Sequence, residues 1–169
     1  MKIAVMGFSG AGKSTLAREL GRRYGCPVLH LDKVQFTPGW QERDRGEMRE
    51  LVARFMEHDA WVIDGNYSKF CLERRLKEAD RIIFLNLPRL ACFWRAWRRY
   101  RRFRGRTRED MAEGCPEKFD WEFMWWILWK GRTRSKKEQF QHAMDGHWEK
   151  TTVLCSQKQI DAYLEGLSC

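Results

Sequence analysis

Gly7-Phe8-Ser9-Gly10-Ala11-Gly12-Lys13-Ser14-Thr15 governs the reading of everything around it. A glycine, four residues, then Gly-Lys-Ser is the P-loop pattern, whose glycines let backbone N–H groups turn inward around phosphate oxygens. The flanks agree with it. Ile3-Ala4-Val5-Met6 is a short apolar run that reads as a buried strand, and Thr15 to Tyr24 reads as a helix. Strand, loop and helix bring the positive end of the helix dipole to the phosphates. Gly7, Ser9, Gly10, Ala11, Gly12, Lys13, Ser14 and Thr15 are therefore the expected nucleotide-binding residues. Lys13 is expected to reach the β- and γ-phosphates and the Ser14 hydroxyl to hold Mg²⁺. ATP and Mg²⁺ are the expected cofactors.

Working outward, four further runs read as strands: Pro27 to Leu31, Ala60 to Ile63, Arg81 to Leu87 and Thr151 to Cys155. Helix-like stretches lie between and after them: Glu42 to His58, Ser68 to Ala79, Pro88 to Arg104, Pro116 to Trp129, Ser135 to Gly146 and Gln157 to Leu167. Strands alternating with helices predict an α/β fold, a five-stranded parallel sheet flanked by helices on both faces. Ligands of such sheets gather at the carboxyl ends of the strands.

At 169 residues the chain suits one domain, residues 1–169, with one inserted segment at about 95–135. The P-loop begins too early to follow a secretory signal, and the apolar run Phe123 to Trp129 is too short to span a bilayer, so no membrane contact and a cytoplasmic location are expected. Six cysteines show no CxxC pairing and no metal-ligand spacing with the four histidines, which predicts reduced thiols. A net charge of +9 points to anionic partners, and nucleotides qualify as well as nucleic acid does.

Two carboxylates end predicted strands. Asp64, before Gly65-Asn66-Tyr67, stands where a P-loop protein places a Mg²⁺–water ligand. Asp32 can take the proton of a hydroxyl acceptor or anchor a substrate by hydrogen bonds. Each also reads as an N-cap or turn residue.

Residues 95–108 contain eight arginines and no acid, interleaved with Trp97, Tyr100 and Phe103. In a small P-loop kinase the segment between the fourth strand and the last is a lid, whose arginines close over the phosphates and fork onto their oxygens. Arg99, Arg108 and Arg134 are the expected phosphoryl clamps. Basic residues mixed with aromatics also suit single-stranded nucleic acid, and a solvated amphipathic face explains them as well. Farther on, Trp121, Trp125 and Trp129 repeat at i, i+4, i+8, a stripe expected to pack the lid onto the body. Trp126 and Phe123 lie off that stripe and are free to line an acceptor pocket or a partner surface.

The stretches Leu29 to Trp40 (LHLD ending PGW), Trp61 to Tyr67 (WVIDGNY), Ala79 to Arg89 (ADRIIFLNLPR) and Arg104 to Phe123, together with the P-loop, resemble the bacterial DNA topology modulation proteins, also described as adenylate-kinase-related P-loop proteins. The resemblance covers essentially the whole chain. It implies an adenylate-kinase-like fold with an arginine-bearing lid and nucleotide binding at Gly7 to Thr15; the family's name carries a DNA role. One departure is Asn86, where relatives carry Asp, which leaves Asp64 as the carboxylate for Mg²⁺.

The leading expectation is an ATP-dependent phosphotransferase acting on a small molecule, nucleotide- or nucleoside-like by the family relationship. Its catalytic set would be Lys13, Asp32, Asp64, Arg99, Arg108 and Arg134, with Ser14 and Asp64 at the metal. The acceptor would lie near Asp32, Trp40 and Tyr67, and adenine near Ser156 to Lys158 by analogy with the fold. The alternative is a nucleotide-regulated DNA-binding protein that grips DNA through the Arg-rich segment. No guanine-reading Asn-Lys-x-Asp occurs, which argues against a GTPase.

Overall fold

The computed structural model describes residues 1–167; Cys169, one of the predicted reduced thiols, lies outside them. The chain runs β1 (Lys2–Gly7), α1 (Lys13–Tyr24), β2 (Val28–His30), α2 (Leu31–Gln35), β3 (Phe36–Thr37), β4 (Gln41–Glu42), α3 (Arg45–Phe55), β5 (Trp61–Asp64), α4 (Leu72–Glu78) and β6 (Arg81–Leu85). It continues through α5 (Arg89–Phe103), α6 (Trp121–Leu128), a 3-10 turn at Lys130–Arg132, α7 (Arg134–Met144), β7 (Thr151–Leu154) and α8 (Gln157–Glu165). The main sheet is parallel throughout, with order β2-β5-β1-β6-β7. The P-loop strand is central, so the loop after it opens at the middle of the carboxyl edge.

Period-two alternation divides the strands between two cores. Ile3, Val5, Val62, Ile83 and Leu85 face one way, onto Leu16 and Leu20 of α1, Ile127 of α6 and Ile160 of α8. Ala4, Met6, Trp61, Ile63, Ile82 and Phe84 face the other way, onto Met48 and Val52 of α3, Leu76 of α4 and Met144 of α7. A third, small cluster of Met111, Ala112 and Cys115 packs on Phe36 and Trp40. Among the described residues no helix is long and apolar enough to cross a membrane. Cys26, Cys71, Cys92, Cys115 and Cys155 are free thiols.

Four local readings change. Asp32 lies inside α2, a helix too short for periodicity to reveal, rather than at the tip of a strand. The helix expected from Glu42 begins at Arg45, because β3 and β4 pair as a hairpin first and the Asp44 carboxylate caps α3 through the N–H groups of Gly46 and Glu47. The helix expected from Pro116 begins at Trp121, capped by Asp120, since residues 116 and 117 instead bridge back to Thr107 and Arg104. The stripe Trp121, Trp125, Trp129 is surface, not core: the three side chains are 72%, 46% and 49% exposed and stack on one another, with centroids 6.4 and 4.6 Å apart. Helix α6 is anchored through its opposite face, by Phe123 and Ile127.

Candidate active site

The loop after β1 is closed by its own sequence. Gly10 has φ 78° and a Cβ there would meet the Cys92 carbonyl oxygen at 2.5 Å; Gly12 has φ 98° and heads α1. Both positions require glycine. Asn66, from the loop after β5, grips Gly7 twice: its Oδ1 accepts from the Gly7 N–H at 3.0 Å and its Nδ2 donates to the Gly7 carbonyl at 2.6 Å. Beneath that loop lies Arg75, fully buried, donating to the carbonyls of Gly65 (3.1 Å) and Tyr67 (2.8 Å). Burial brings the Arg75 pKa down to about 10, so it is still a cation at neutral pH. The two residues tie the loops of β1 and β5 into one rigid edge. Neither role is visible in the sequence, because both depend on which carbonyls end up within reach.

A cavity of about 480 Å³ opens beside the P-loop, lined by Ser9, Lys13, Asp32, Asn66, Tyr67, Trp126, Arg132 and Phe140 among others. Lys13 Nζ rests 3.3 Å from the Phe8 carbonyl. Asp32 Oδ1 accepts from the Tyr67 hydroxyl at 2.6 Å. Burial, the charge of Asp32 and that hydrogen bond push the Tyr67 phenol far above its ordinary pKa, so it stays a donor and fixes the carboxylate. The expected trio of Asp32, Trp40 and Tyr67 is thus divided. Trp40 stands in the β3–β4 turn, edge-on to Phe36 and under Lys118, and belongs to the small third cluster.

Asp64 is buried at the end of β5, with Oδ2 3.0 Å from His30 Nδ1 and Oδ1 without a partner. A buried carboxylate oxygen left open is costly unless something fills it. Together with the Ser14 hydroxyl at the head of α1, that open oxygen fits a hydrated Mg²⁺ held by few protein ligands. Among the described residues no cluster of three or more His, Cys, Asp or Glu could hold a metal ion.

The arginines sort differently from expectation. Arg99 and Arg108 both end on Glu117, at 2.7 and 2.5 Å, and Arg108 also bonds Asp110 at 2.6 Å. Arg134 is 94% exposed, pairs with Glu138 one turn on and is not among the residues lining the cavity. Two other arginines touch the P-loop. Arg95 donates to the Ala11 carbonyl at 2.5 Å. Arg132, buried, lies over the Phe8 ring at 4.0 Å and donates to Cys92 Sγ at 3.0 Å, with Nε unpartnered. Burial lowers the Arg132 pKa, and the same burial raises that of Cys92, which keeps a neutral thiol beside it. A buried guanidinium whose partners are a ring and a thiol is poised for an anion. Trp126 reaches Ser9, its Nε1 3.3 Å from the hydroxyl, and joins the cavity wall, whereas Phe123 packs on Phe119 under Arg99. Asn86 is exposed and its N–H bonds Leu154.

No protein-family profile matches the chain, and no curated protein matches its sequence. Solved structures do. A shikimate kinase from Bacteroides thetaiotaomicron is 18% identical, with TM-score 0.53 over 99% of this chain and 96% of that one. A deoxyadenosine kinase from M. mycoides, with dCMP and dCDP bound, is 15% identical, with TM-score 0.57 over 99% of both chains. At this identity the likeness is one of fold: the chain has the five-stranded parallel architecture of P-loop kinases. Both matched proteins are kinases, and neither lends support to the DNA role carried by the sequence resemblance.

Proposed function

We propose that this chain is an ATP-dependent phosphotransferase whose acceptor is a hydroxyl group of a small, nucleoside-like molecule. One observation carries the reading: Asp32, held by Tyr67, lines the same cavity as Lys13 and Ser9. An acceptor phosphate needs no base, and a hydroxyl acceptor does. In the step, the acceptor oxygen attacks the γ-phosphorus, the bond to the leaving ADP oxygen breaks, and the hydroxyl proton passes to the Asp32 carboxylate. Lys13 and Arg132 face the developing phosphoryl charge, and the backbone of Gly7 to Thr15 cradles the chain of phosphates. Ser14 and Asp64 would hold Mg²⁺, which supplies charge neutralisation between the phosphates. Phe8, Tyr67, Phe70 and Phe140 make part of the cavity wall aromatic, and a nucleoside-like acceptor suits it. The likeness to a deoxyadenosine kinase supports the same class. Gln157, bonded to Arg95, leaves the start of α8 in place to meet adenine.

The test is ADP release from Mg-ATP across nucleosides, nucleoside monophosphates and hydroxylated metabolites. Stimulation by nucleosides is the expected result, abolished in Lys13→Ala and lowered about 100-fold in Arg132→Ala, with Arg134→Ala unchanged. Stimulation confined to monophosphates overturns the role of Asp32, and no stimulation by any acceptor overturns the enzyme.

The second reading, DNA binding regulated by nucleotide, is favoured by one feature: Arg101 lies over Trp97 at 4.9 Å on the exposed side of α5. Replacing Arg101 and Arg102 by Ala would then lower salt-sensitive DNA binding and spare turnover. Turnover lost with DNA binding unmoved counts against it.

A further inference from the structure

Gln35 and Glu42 line the same cavity as Asp32. Gln35 follows Asp32 by three residues in α2, so the two meet the cavity from one face of the helix. Glu42 comes from β4 and is kept beside Gln35 by the backbone: the Arg43 N–H donates to the Gln35 carbonyl at 2.8 Å, and Phe36 pairs with Glu42 across the hairpin. The hairpin is anchored in turn, with the Gly39 N–H on the Gly114 carbonyl at 3.2 Å and with Phe36 and Trp40 packed on Met111, Ala112 and Cys115. The two residues are therefore held side by side without help from their own side chains.

Their hydrogen bonding is incomplete. Gln35 Nε2 donates to Glu42 Oε1 at 3.3 Å. A carboxylate only accepts, so this contact fixes which end of the amide is nitrogen. The other end, Oε1, is buried and has no partner. A buried acceptor without a donor is costly. Glu42 is open as well: it is exposed, no ion pair among the described residues includes it, and its neighbour Arg43 pairs with Glu47 instead. This corner of the cavity offers acceptors and lacks a donor.

The missing donor has a chemical description. Both side chains call for an N–H or O–H, and the carboxylate favours a donor with partial positive charge, which the amino group of a nucleobase gains by delocalisation into its ring. An oxo group in the same place would set its oxygen against two others and leave Gln35 Oε1 unmet. Resting on the nucleoside reading above, we propose that Gln35 and Glu42 are the specificity pair of the acceptor site, selecting bases that carry an exocyclic amino group and rejecting their oxo counterparts.

The experiment compares kcat/KM, from ADP release, within two matched pairs, adenosine with inosine and cytidine with uridine, for the wild type, Gln35→Leu and Glu42→Gln. The wild type is expected to favour the amino member by about 10-fold or more in the pair it uses better. Gln35→Leu should bring that ratio close to unity. In Glu42→Gln the facing amide can accept or donate, so Gln35 is free to present its nitrogen instead. Use of the oxo member should then rise in absolute terms, which a damaged fold would not produce. Equal use of both members by the wild type overturns the proposal, and so does a preference for the oxo member, which would point to Arg45 and Lys69 on the same wall. A ratio that survives Gln35→Leu overturns it too and leaves the pair as a staple of the hairpin. Should Gln35→Leu lose all activity, Glu42→Gln decides: a raised oxo rate supports the pair and an unchanged ratio overturns it. If no nucleoside stimulates ADP release, the acceptor reading falls and this proposal with it; if nucleosides do so without discrimination, only the proposal falls.

Discussion

Tyr67 is the residue through which the site can be tested for its chemistry rather than its shape. Its hydroxyl holds one oxygen of Asp32, so the two side chains form a dyad in which one takes a proton and the other fixes the taker. Asp32→Asn keeps the size and the contact with Tyr67 but removes the base. The acceptor-stimulated rate is expected to fall about 100-fold or more, with the acceptor KM changed far less. Tyr67→Phe should give a smaller loss of the same kind, because the carboxylate survives untethered. Steady-state kinetics on the two variants check both; equal losses would make the pair a structural clamp. The sequence displayed Asp32 and Tyr67 as candidates because each follows a strand-like run. It concealed Asn66 and Arg75, whose value lies in the carbonyls of Gly7, Gly65 and Tyr67 that folding brings beside them. Arg132 and Arg134 are two apart in the chain, and nothing in composition separates the buried one from the exposed one; the 3-10 turn at Lys130–Arg132 does so by turning one inward.

Among the elements, the segment of residues 104–120 is held by ion pairs more than by apolar area. Glu117 is its centre, since it joins Arg99 of α5 to Arg108 of the loop. Removing one member of a buried charge group leaves the others uncompensated and costs several kcal/mol where solvent cannot enter. Glu117→Ala should therefore loosen residues 104–117 and leave β1 and α1 as they are. Hydrogen exchange followed by mass spectrometry reads this directly, as lost protection confined to that segment; uniform loss across the sheet would contradict the local role. Which elements the sequence revealed follows from length and period. The five strands of the main sheet stood out as apolar runs. Helix α2 and the two-residue strands β3 and β4 did not, because five residues or fewer carry no period to read. The stripe of Trp121, Trp125 and Trp129 misled for another reason: α6 is apolar nearly all round, so an i, i+4, i+8 repeat fits its outer face as well as its inner one, and Phe123 and Ile127 won the inside.

At the scale of the molecule, one tryptophan belongs to the frame, Trp40 and Trp97 are half-buried, and the other six stand exposed. Trp61 is fully buried under the sheet, in the cluster of Met6, Ile63 and Phe84. Trp61→Ala should cost about 3–5 kcal/mol, whereas Trp125→Ala, in the exposed stack, should cost about 1 kcal/mol or less. Thermal unfolding of both variants is the measurement, and comparable losses would mean that the stack is covered in solution. The two-core division also explains why the site is rigid where it matters. The P-loop leaves the central strand, and both neighbours of that strand, β5 and β6, are buried on each face. One indole of the exposed set differs from the others in its partner. Trp126 spans the gap between α6 and the P-loop, with its N–H on the Ser9 hydroxyl. Phosphates entering that loop must alter the polarity around this ring, so the molecule carries its own optical reporter of occupancy: a shift in ultraviolet emission, absent once Trp126 is replaced by Phe, would count bound nucleotide without any label.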